Sequence, residues 1–481
     1  MSRVLEGLEP SIVWEIFEDI SRIPRCTWKE ERLQDWLVEW AERYEVDCKR
    51  DEHGNILFTR EASMGCEHYP ALILQAHQDM VCEKTPECTH DFDVDPIPLV
   101  VKGEIVTADG TSLGADNAVG AALGMALIID RELDKHGKIE VLLTPGEEGG
   151  SMGARYTKDF FTSRRMINLD SEEVGVIIIG SAGGGGTTYV WPSAFEAANS
   201  GVGFKLEVGG LLGGHSGVDI HLPRLNANKV LASGLKQVLN VTPLRIMHID
   251  GGSRGNAIAR DAHCVFVVPE DKSDEVKRVI SEWDRGLDRS IEKDLTIKVG
   301  EVEVPEALSE ELSSNIIGLI NDVQQGPFSW REDIPDIVQT SNNLGVLRVE
   351  EGSIKIPLGS RTSNLKDLEK NQTILRELGE RYRATVEQRK GSAGWMSDPD
   401  NRFLKLVESK YSKVLGKSAK VTAIHAGLEC GIFGGFFKDI EIVSIGPEIK
   451  YPHSPQEYVE IASVGVLWEV LRAIARNMDD E

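Results

Sequence analysis

The chain has 481 residues, of which 41% are hydrophobic and 27% charged, and this composition is typical of a folded protein rather than a disordered or fibrous one. Lys and Arg together number 53, whereas Asp and Glu number 78, so the formal net charge is -25. Such a charge repels phosphate backbones and anionic lipid head groups, and we therefore expect no nucleic-acid partner and no membrane partner. The length predicts about two to four domain equivalents.

The compartment is predicted from three features of the sequence. The longest nearly apolar run, 119–129, is shorter than the roughly 18 to 20 residues that a membrane-spanning helix needs. The acidic N-terminal segment lacks the apolar run and the cleavage site of a secretion signal. The cysteines are odd in number and form no C-x-x-C pair, which favours free thiols: Cys26, Cys48, Cys66, Cys82, Cys88, Cys264 and Cys430. We expect a cytoplasmic protein.

Apolar residues at three- and four-residue spacing predict two opening helices, over 10–22 and 29–44. Short apolar runs that end in turn residues follow, among them ALILQAH, IEVLLTPG and RRMINLD. They alternate with a predicted helix over 117–133 and another after Ser151. This alternation predicts an α/β layer built on a largely parallel sheet.

The string GSAGGGGTT, over 180–188, has a glycine density that predicts a domain boundary or a hinge rather than a regular element. From 204 to 390, strand-like runs alternate with helical stretches such as 227–240 and 274–294, which predicts an α+β unit of about 190 residues. The last segment returns to an α/β pattern, with helices over 401–415 and 461–477. The outer segments are therefore predicted to form one domain that the middle segment interrupts.

Ionisable side chains stand where predicted strands end or helices begin. They are His77, Asp79, Asp116, Glu147, Glu148 and Asp170. Parallel α/β sheets build their sites at the carboxyl ends of strands. Each residue taken singly fits a structural role at least as well, but the set contains the groups of a two-metal hydrolytic site.

The chemistry of such a site requires these residue types. A neutral imidazole suits Zn²⁺, and Asp79 could accept the proton of the other ring nitrogen of His77. One carboxylate must span two ions about 3.5 to 4 Å apart, while another stays off the metals as a general base. The neighbours Glu147 and Glu148 could divide the roles of base and ligand.

The ordered strings HQD, GADNAVG, TPGEEGG, NLD and YPHSPQE closely resemble the dinuclear metallopeptidase superfamily of aminoacylases, tripeptidases and carnosinase-type dipeptidases. The strings GGHSGVDIH and HAGLECGIF, with the chain length, resemble its aminoacyl-histidine (Xaa-His, or cytosol nonspecific) dipeptidase branch. The resemblance implies a discontinuous α/β catalytic domain of the zinc-peptidase type with a mixed sheet, over 1–183 and 391–481. It also implies an inserted α+β lid domain over 184–390.

The resemblance also implies the site residues. His77 and Asp170 would be the terminal ligands of one ion, Glu148 and His453 those of the other, and Asp116 would bridge both. Glu147 would be the general base, with Asp79 supporting His77. The cofactors would be two divalent ions per chain, Zn²⁺ first, although Co²⁺ and Mn²⁺ accept the same ligands.

Two details of the bridging residue follow from the same resemblance. The peptide bond after it, Asp116–Asn117, is expected to be cis. Many relatives carry Asp where this chain has Asn117, so an amide replaces one acceptor.

In the predicted lid, the resemblance gives His215 the role of stabilising the developing oxyanion. Asn256 and Arg361 would hold the substrate, Arg361 through a bidentate pair with the terminal carboxylate. Glu429 lies in a motif that faces the substrate in relatives, although a solvated or capping carboxylate remains an alternative. The lid is long enough to supply His215 from the same chain, so a homodimer is left open and need not be catalytic.

We predict metal-dependent hydrolysis of small peptides, namely unblocked dipeptides including Xaa-His. Aminoacylase and tripeptidase activities on the same metal core remain alternatives. A serine hydrolase is another, because Gly149–Gly153 matches G-x-S-x-G and Ser151, Asp170 and His453 follow the required order. That alternative leaves His77 and Asp116 unexplained. The last alternative is a non-catalytic metal-binding scaffold, against which Glu147 argues.

Overall fold

The computed structural model describes residues 3–198, 201–332, 334–350 and 352–480, and the chain divides into two compact units. Unit 1 comprises Met1–Ser181, Trp395–Ala423 and Leu428–Glu481, and unit 2 comprises Ala182–Gly394 and Ile424–Gly427. Unit 1 is therefore assembled from separate parts of the sequence. The predicted fold class, mixed α/β, is confirmed.

Unit 1 contains an eight-stranded sheet, a smaller four-stranded sheet and the helices that cover them. The helices are Ser11–Ser21, Glu31–Tyr44, Ala115–Ile129, Arg402–Leu415, Cys430–Phe436 and Ile461–Arg476. In spatial order, the strands of the large sheet are Asp47–Arg50, Ile56–Arg60, Ile139–Thr144, Leu72–His77, Arg165–Asn168, Glu441–Ser444, Val176–Ile178 and Lys420–Thr422. The small sheet comprises Leu99–Lys102, Ile105–Ala108, Ile449–Lys450 and Tyr458–Glu460.

The strands at the centre of the large sheet run parallel and are buried on both faces. Leu72–His77 pairs in parallel with Ile139–Thr144 on one side and with Arg165–Asn168 on the other. The helix Ala115–Ile129 packs across the first two of these strands, and a Cβ atom at Gly124 would lie 2.9 Å from a methyl carbon of Val141. Small residues in this helix thus bring its N-terminal turn close to the ends of the strands.

Unit 2 is built on a ten-stranded sheet with four helices. The helices are Ala227–Leu239, Ser273–Arg285, Glu310–Asp322 and Leu365–Arg381. The strands of the large sheet are Gly180–Pro192, Val202–Gly209, Arg245–Gly251, Ala262–Val268, Thr296–Val302, Gly326–Trp330, Val338–Asn343, Leu347–Glu350, Ser353–Thr362 and Thr385–Met396. Two short pairs complete the unit, Gly214–His215 with Ala257–Ile258 and Glu196–Ala197 with Glu306–Ala307.

The glycine run is part of a strand, so the prediction that it interrupts regular structure is wrong. Gly180–Pro192 pairs antiparallel with Ser353–Thr362 over ten residues. A Cβ atom at Gly183 would lie 2.2 Å from the carbonyl oxygen of Ser392, and one at Gly184 would lie 2.4 Å from that of Ser360. The glycines therefore permit a close approach of neighbouring strands, which is a use of glycine that composition does not reveal.

Two further expectations need correction. Cys26 and Cys82 form a disulfide, so only the other five cysteines are free thiols. A short 3₁₀ turn, Gly153–Tyr156, stands where a helix after Ser151 was predicted.

None of the helices in the described ranges is long and apolar enough to cross a membrane.

The disulfide yields a stability prediction. Cys26 and Cys82 are 56 residues apart in sequence, so the bond restricts the unfolded chain and stabilises the fold by about 2 to 4 kcal/mol. We expect the double variant Cys26→Ser/Cys82→Ser to lose this amount in urea-induced unfolding. Cys88→Ser, which removes a free thiol, is the control. Seven titratable thiols in denatured, unreduced protein, instead of five, would contradict the disulfide.

Candidate metal centre

The central parallel strands bring three ligand-bearing loops of unit 1 to one edge of the sheet. His77 ends its strand, Glu147 and Glu148 follow Ile139–Thr144, and Asp170 follows Arg165–Asn168. The strands are in register, with His77 opposite Thr144 and Gln75 opposite Asn168. Because parallel strands end at the same edge, these side chains converge there.

Asp116 reaches the same place from the first turn of the helix Ala115–Ile129. Asp116 and Asn117 have non-helical backbone angles, and the peptide bond between them is cis, as the resemblance implied. The Asn117 side-chain amide donates a hydrogen bond of 2.5 Å to Asp170 Oδ1. The amide that replaces the usual carboxylate therefore orients a predicted ligand.

The first group of converging atoms contains His77, Asp116 and Asp170. Nε2 of His77 lies 2.9 Å from Asp116 Oδ1 and 3.4 Å from Asp170 Oδ1. All three side chains are almost fully buried, with exposures of 2%, 11% and 9%. One candidate ligand atom from each lies within 4.8 Å of the others.

The second group contains Asp116, Glu148 and His453. Nε2 of His453 lies 3.0 Å from Asp116 Oδ2 and 2.6 Å from Glu148 Oε1. His453 comes from the loop between Ile449–Lys450 and Tyr458–Glu460, where it has a φ of 60°, and 44% of its side chain is exposed. Asp116 thus belongs to both groups, one carboxylate oxygen facing each histidine.

This donor set fits two divalent metal ions. Each group offers one imidazole nitrogen and two carboxylates, the ligand types that Zn²⁺, Co²⁺ and Mn²⁺ accept. A third combination, His77 with Glu147 and Glu148, also has ligand atoms within 4.8 Å of one another, so Glu147 lies beside the ligands. The five predicted ligands and the predicted base are therefore brought together.

Asp79 is completely buried and connects two of the loops. Its Oδ1 accepts the backbone N–H of Glu147 at 3.0 Å and its Oδ2 accepts that of Glu148 at 3.2 Å. His77 Nδ1 lies 3.4 Å from Asp79 Oδ1 and 3.0 Å from the Asp79 carbonyl oxygen. Burial alone would raise the pKa of Asp79. The bonds from His77 and from the Glu147 N–H outweigh this effect and lower the pKa below its ordinary value, so the carboxyl stays ionised.

Burial raises the pKa of Glu147 well above its ordinary value, and the carboxylates of Asp170 and Glu148 raise it further against the influence of His77. A half-buried carboxylate with this affinity for protons suits a general base, which must take a proton and later release it. Burial likewise raises the pKa of Asp170 to about 6.

In both histidines the neighbouring carboxylates outweigh the effect of burial on the pKa. Burial lowers the pKa of His453, but its bonds to Asp116 and Glu148 raise it to about 11. Burial also lowers the pKa of His77, but Asp170 and Asp116 outweigh it and raise the pKa well above the ordinary value. Protons on these rings compensate the crowded carboxylates of the metal-free protein, a role that divalent ions would take over.

A buried polar network beneath His77 was missed by the sequence analysis. Gln75 Nε2 donates to Glu429 Oε2 at 2.6 Å and to Thr144 Oγ1 at 3.1 Å, and Gln75 Oε1 accepts from the Asn168 amide at 2.6 Å. Thr144 Oγ1 also donates to Glu429 Oε2, at 2.6 Å. Gln75 and Asn168 are polar residues inside apolar strands, and that is the signal that could have revealed them.

Glu429 is the carboxylate of this network and is only 1% exposed. Burial raises its pKa to about 8, against the hydrogen bond from Thr144. Its Oε1 has no hydrogen-bond partner among the described residues. Its contacts in unit 1 are therefore structural, and a substrate contact remains a prediction.

Glu30 and Trp28 support the loop of Glu147 and Glu148, and the sequence analysis did not single them out. Glu30 Oε1 accepts the backbone N–H of Gly146 at 3.0 Å and that of Trp28 at 3.1 Å. A Cβ atom at Gly149 would lie 2.1 Å from the Trp28 ring, so this ring rests directly on the glycines of the loop. The glycines in TPGEEGG thus make room for a tryptophan.

Unit 2 brings its own predicted residues together. His215 pairs with Ala257, and the Ser216 N–H donates to the Asn256 carbonyl oxygen at 2.8 Å. The Arg361 guanidinium lies 3.2 Å from His215 Nε2 and donates from Nε to Ser216 Oγ at 3.3 Å. Asn256 is exposed and Arg361 is half-buried. The His215 and Arg361 side chains are therefore in contact on unit 2, and the backbone of Asn256 lies beside them.

His425, left undecided by the sequence, belongs to unit 2 and contacts Ser341 Oγ at 2.7 Å. Burial, together with the positive charge of Arg361, lowers its pKa to about 3. His425 is therefore neutral at physiological pH.

The serine-hydrolase alternative is not supported by the contacts in the described residues. His453 contacts Asp116 and Glu148, whereas Asp170 contacts His77 and Asn117. Ser151 precedes a 3₁₀ turn rather than the helix that follows a nucleophile elbow.

Comparisons with known proteins agree with this geometry. The sequence profile of Peptidase family M20/M25/M40 matches residues 73–477. The cytosol non-specific dipeptidase of Escherichia coli (strain K12) is 36% identical over 482 residues, which cover 98% of this chain and 99% of that protein.

Two solved structures are also similar. The aminoacylhistidine dipeptidase from Vibrio alginolyticus superposes with a TM-score of 0.79 at 33% identity, covering 99% of this chain and 98% of that chain. An M20 family metallo-carboxypeptidase from Sulfolobus solfataricus has a TM-score of 0.55 at 13% identity, covering 98% and 99%, which shows a shared fold alone.

The pKa of Glu429 predicts a pH dependence of stability in the metal-free protein. The folded-state pKa of about 8 is above the ordinary value, so the stabilisation is complete below about pH 4 and is lost as the pH rises through 8. Glu429→Gln stays neutral at every pH. We therefore expect the free energy of unfolding of the native chain to fall relative to that of Glu429→Gln between pH 5 and pH 9, measured by urea titration.

The control for this experiment is Glu39→Gln, the same change at an exposed position of the helix Glu31–Tyr44. Its stability relative to the native chain should not change over the same pH range. A constant difference between the native chain and Glu429→Gln would show that Glu429 is ionised in the folded protein.

Proposed function

The chain belongs to Peptidase family M20/M25/M40, and on that premise we propose that it hydrolyses unblocked dipeptides, Xaa-His among them, at a site for two divalent ions in unit 1. As a member of this family it is a peptide-bond hydrolase that acts on small peptides. The observation that carries the proposal is the pair of ligand groups that share Asp116. The full-length similarity to a cytosol non-specific dipeptidase supports the dipeptide substrate.

The proposed ligands are His77 and Asp170 for one ion, Glu148 and His453 for the other, and Asp116 for both. The mixed imidazole and carboxylate set favours Zn²⁺, and Co²⁺ or Mn²⁺ could replace it. When bound, the ions would supply Lewis acidity, lowering the pKa of water and polarising the scissile carbonyl group.

The protein itself supplies the proton transfers. Glu147 lies beside the ligands, is half-buried and has a raised pKa, so it would take a proton from the attacking water and deliver it to the leaving amine. Asp79 holds the backbone of Glu147 and Glu148 while it contacts His77. The base and the ligands therefore keep a common orientation during the reaction.

We further propose that His215, Asn256 and Arg361 of unit 2 bind the substrate. His215 would donate from Nε2 to the oxyanion, and Arg361 would pair with the terminal carboxylate. Donation requires a proton on His215 Nε2, which faces the Arg361 guanidinium in the structure. The contact between His215 and Arg361 must therefore open when substrate binds.

The proposal also covers the two domains, the compartment and the oligomeric state. Unit 1 would be the catalytic domain and unit 2 the lid. The E. coli relative is named for the cytosol, and we propose the same compartment for this chain. A homodimer is compatible with the proposal, and the length of unit 2 would allow His215 to act within its own chain.

The function is tested first by substrate choice and metal dependence. We expect hydrolysis of Ala-His, β-Ala-His and Leu-Gly but not of Ala-Ala-Ala or N-acetyl-Met. Chelation should abolish the activity, and Zn²⁺, Mn²⁺ or Co²⁺ should restore it. Glu147→Gln should lower kcat by about 100- to 10,000-fold, the contribution of a general base, while Glu39→Gln stays at the native rate.

The other outcomes identify the alternatives. Cleavage of Ala-Ala-Ala would indicate a tripeptidase, and metal-dependent cleavage of N-acetyl-Met alone would indicate an aminoacylase. Activity that survives chelation but not a serine-directed reagent would place the reaction at Ser151. Two tightly bound ions without hydrolysis of any compound would indicate a binding scaffold.

Arg361 gives a separate prediction about binding. Lys keeps the charge but loses the planar pair of donors, so Arg361→Lys should raise KM for dipeptides by about 10- to 100-fold with little change in kcat. The control is a dipeptide amide, which has no terminal carboxylate and should show equal KM with both proteins. Equal increases of KM for acid and amide would rule out the carboxylate contact.

A further inference from the structure

The loop that carries Asp116 is held by one buried carboxylate. Glu457 Oε2 accepts the backbone N–H groups of Leu113 at 2.8 Å and Gly114 at 2.9 Å. Its Oε1 accepts those of Ala115 at 2.8 Å and Asp116 at 3.3 Å. Glu457 is only 1% exposed, so these four bonds replace its hydration.

A buried guanidinium holds the same loop through its carbonyl side. Arg25, also 1% exposed, donates from Nη2 to the Gly114 carbonyl oxygen at 2.7 Å. Its Nη1 lies 3.4 Å from the Gln78 carbonyl oxygen and 3.3 Å from that of Asp79, just beyond His77. Arg25 therefore connects the loop of Asp116 to the end of the strand that carries His77.

Gly114 makes this arrangement sterically possible. Its φ of 68° is unfavourable for other residues, and a Cβ atom there would lie 2.4 Å from Arg25 Nη2 and 2.7 Å from Met80 Sδ. The N–H and the carbonyl group of Gly114 are thus both bonded to fully buried side chains, the first to the carboxyl group of Glu457 and the second to the guanidinium of Arg25.

We propose that Arg25 and Glu457 form a clamp that positions the bridging carboxylate of Asp116 relative to His77, so that the site is shaped before metal binds. The inference rests on the proposed function, since it presumes that ions bind to Asp116. Arg25 lies outside residues 73–477, which the family profile matches, and neither residue of the clamp belongs to the candidate ligand groups of the described residues. Both are positioning residues rather than catalytic ones.

The clamp affects both ion sites because Asp116 belongs to both ligand groups. His77 Nε2 and Asp116 Oδ1 are 2.9 Å apart, and a small shift of the loop would alter this separation and the one to His453 together. Groups that orient metal ligands commonly contribute about 10- to 100-fold to metal affinity.

The first test is Glu457→Gln, which keeps the shape of the side chain but points an N–H₂ group at two of the four N–H donors. We expect the affinity for both ions to fall by about 10- to 100-fold, measured by competition with a chromogenic chelator. The absorption spectrum of the Co²⁺-loaded protein should change as well. Glu460→Gln, the same change at an exposed position three residues on, should bind metal as the native chain does.

The second test is a double-mutant cycle with Arg25→Met. If the two residues act on one loop, Arg25→Met/Glu457→Gln should lose less affinity than the product of the single losses. A purely multiplicative loss would overturn the clamp as a unit. If Arg25→Met does not fold by circular dichroism, Arg25→Gln takes its place, because it removes the charge but keeps a polar side chain.

The result that overturns the inference differs from the one that overturns the function. Native affinity and a native Co²⁺ spectrum in Glu457→Gln would show that Glu457 does not position Asp116. Absence of metal binding in the native chain would instead refute the proposed metal site. Rescue of metal affinity by Arg25→Lys relative to Arg25→Met would support the positioning role over a general loss of packing.

Discussion

The centre of unit 1 must bury several carboxylates within a few ångströms of one another, and much of the surrounding structure serves this requirement. Like charges at such distances repel strongly in a medium with little water. Burial is the main cause of the raised pKa of Glu147 and of the pKa of about 6 of Asp170. Repulsion by neighbouring carboxylates raises both pKa values further. Two histidines face Asp116 from opposite sides and supply positive charge in the metal-free protein, and divalent ions would satisfy the same need more fully.

Several elements resist this repulsion through the backbone rather than through the side chains that face the ions. Asp79 holds the N–H groups of Glu147 and Glu148, Glu30 holds that of Gly146, and Glu457 holds four consecutive N–H groups before and at Asp116. Each is a buried carboxylate whose charge is dispersed over backbone dipoles. The loops are therefore held in place by carboxylates outside the candidate ligand groups, which explains how loops can form a site of defined geometry.

Some of this was predictable and some was not. Amphipathic spacing placed the opening helices within a residue or two of Ser11–Ser21 and Glu31–Tyr44, since three- and four-residue periodicity is a local property. It overestimated the helix after Ser151, where the glycines favour a 3₁₀ turn. The strand formed by the glycine run was not predicted, because the run packs closely against Ser392 and Ser360, which lie about 200 positions away in the sequence. The pairing of Cys26 with Cys82 has the same origin.

The sequence by itself determined which chemistry is available: the series of His, Asp and Glu at strand ends, in an order that resembles one peptidase superfamily, already indicated two ions and a general base. Only the tertiary structure decided how these groups are held. The roles of Arg25, Gln75 and Glu457 arise from hydrogen bonds across separations of up to 354 residues. Arg25 and Glu457 bond to the backbone of distant loops, and Gln75 bonds to side chains of other segments. Such bonds leave no periodic pattern, because they are set by how distant segments fold together rather than by neighbours in the chain.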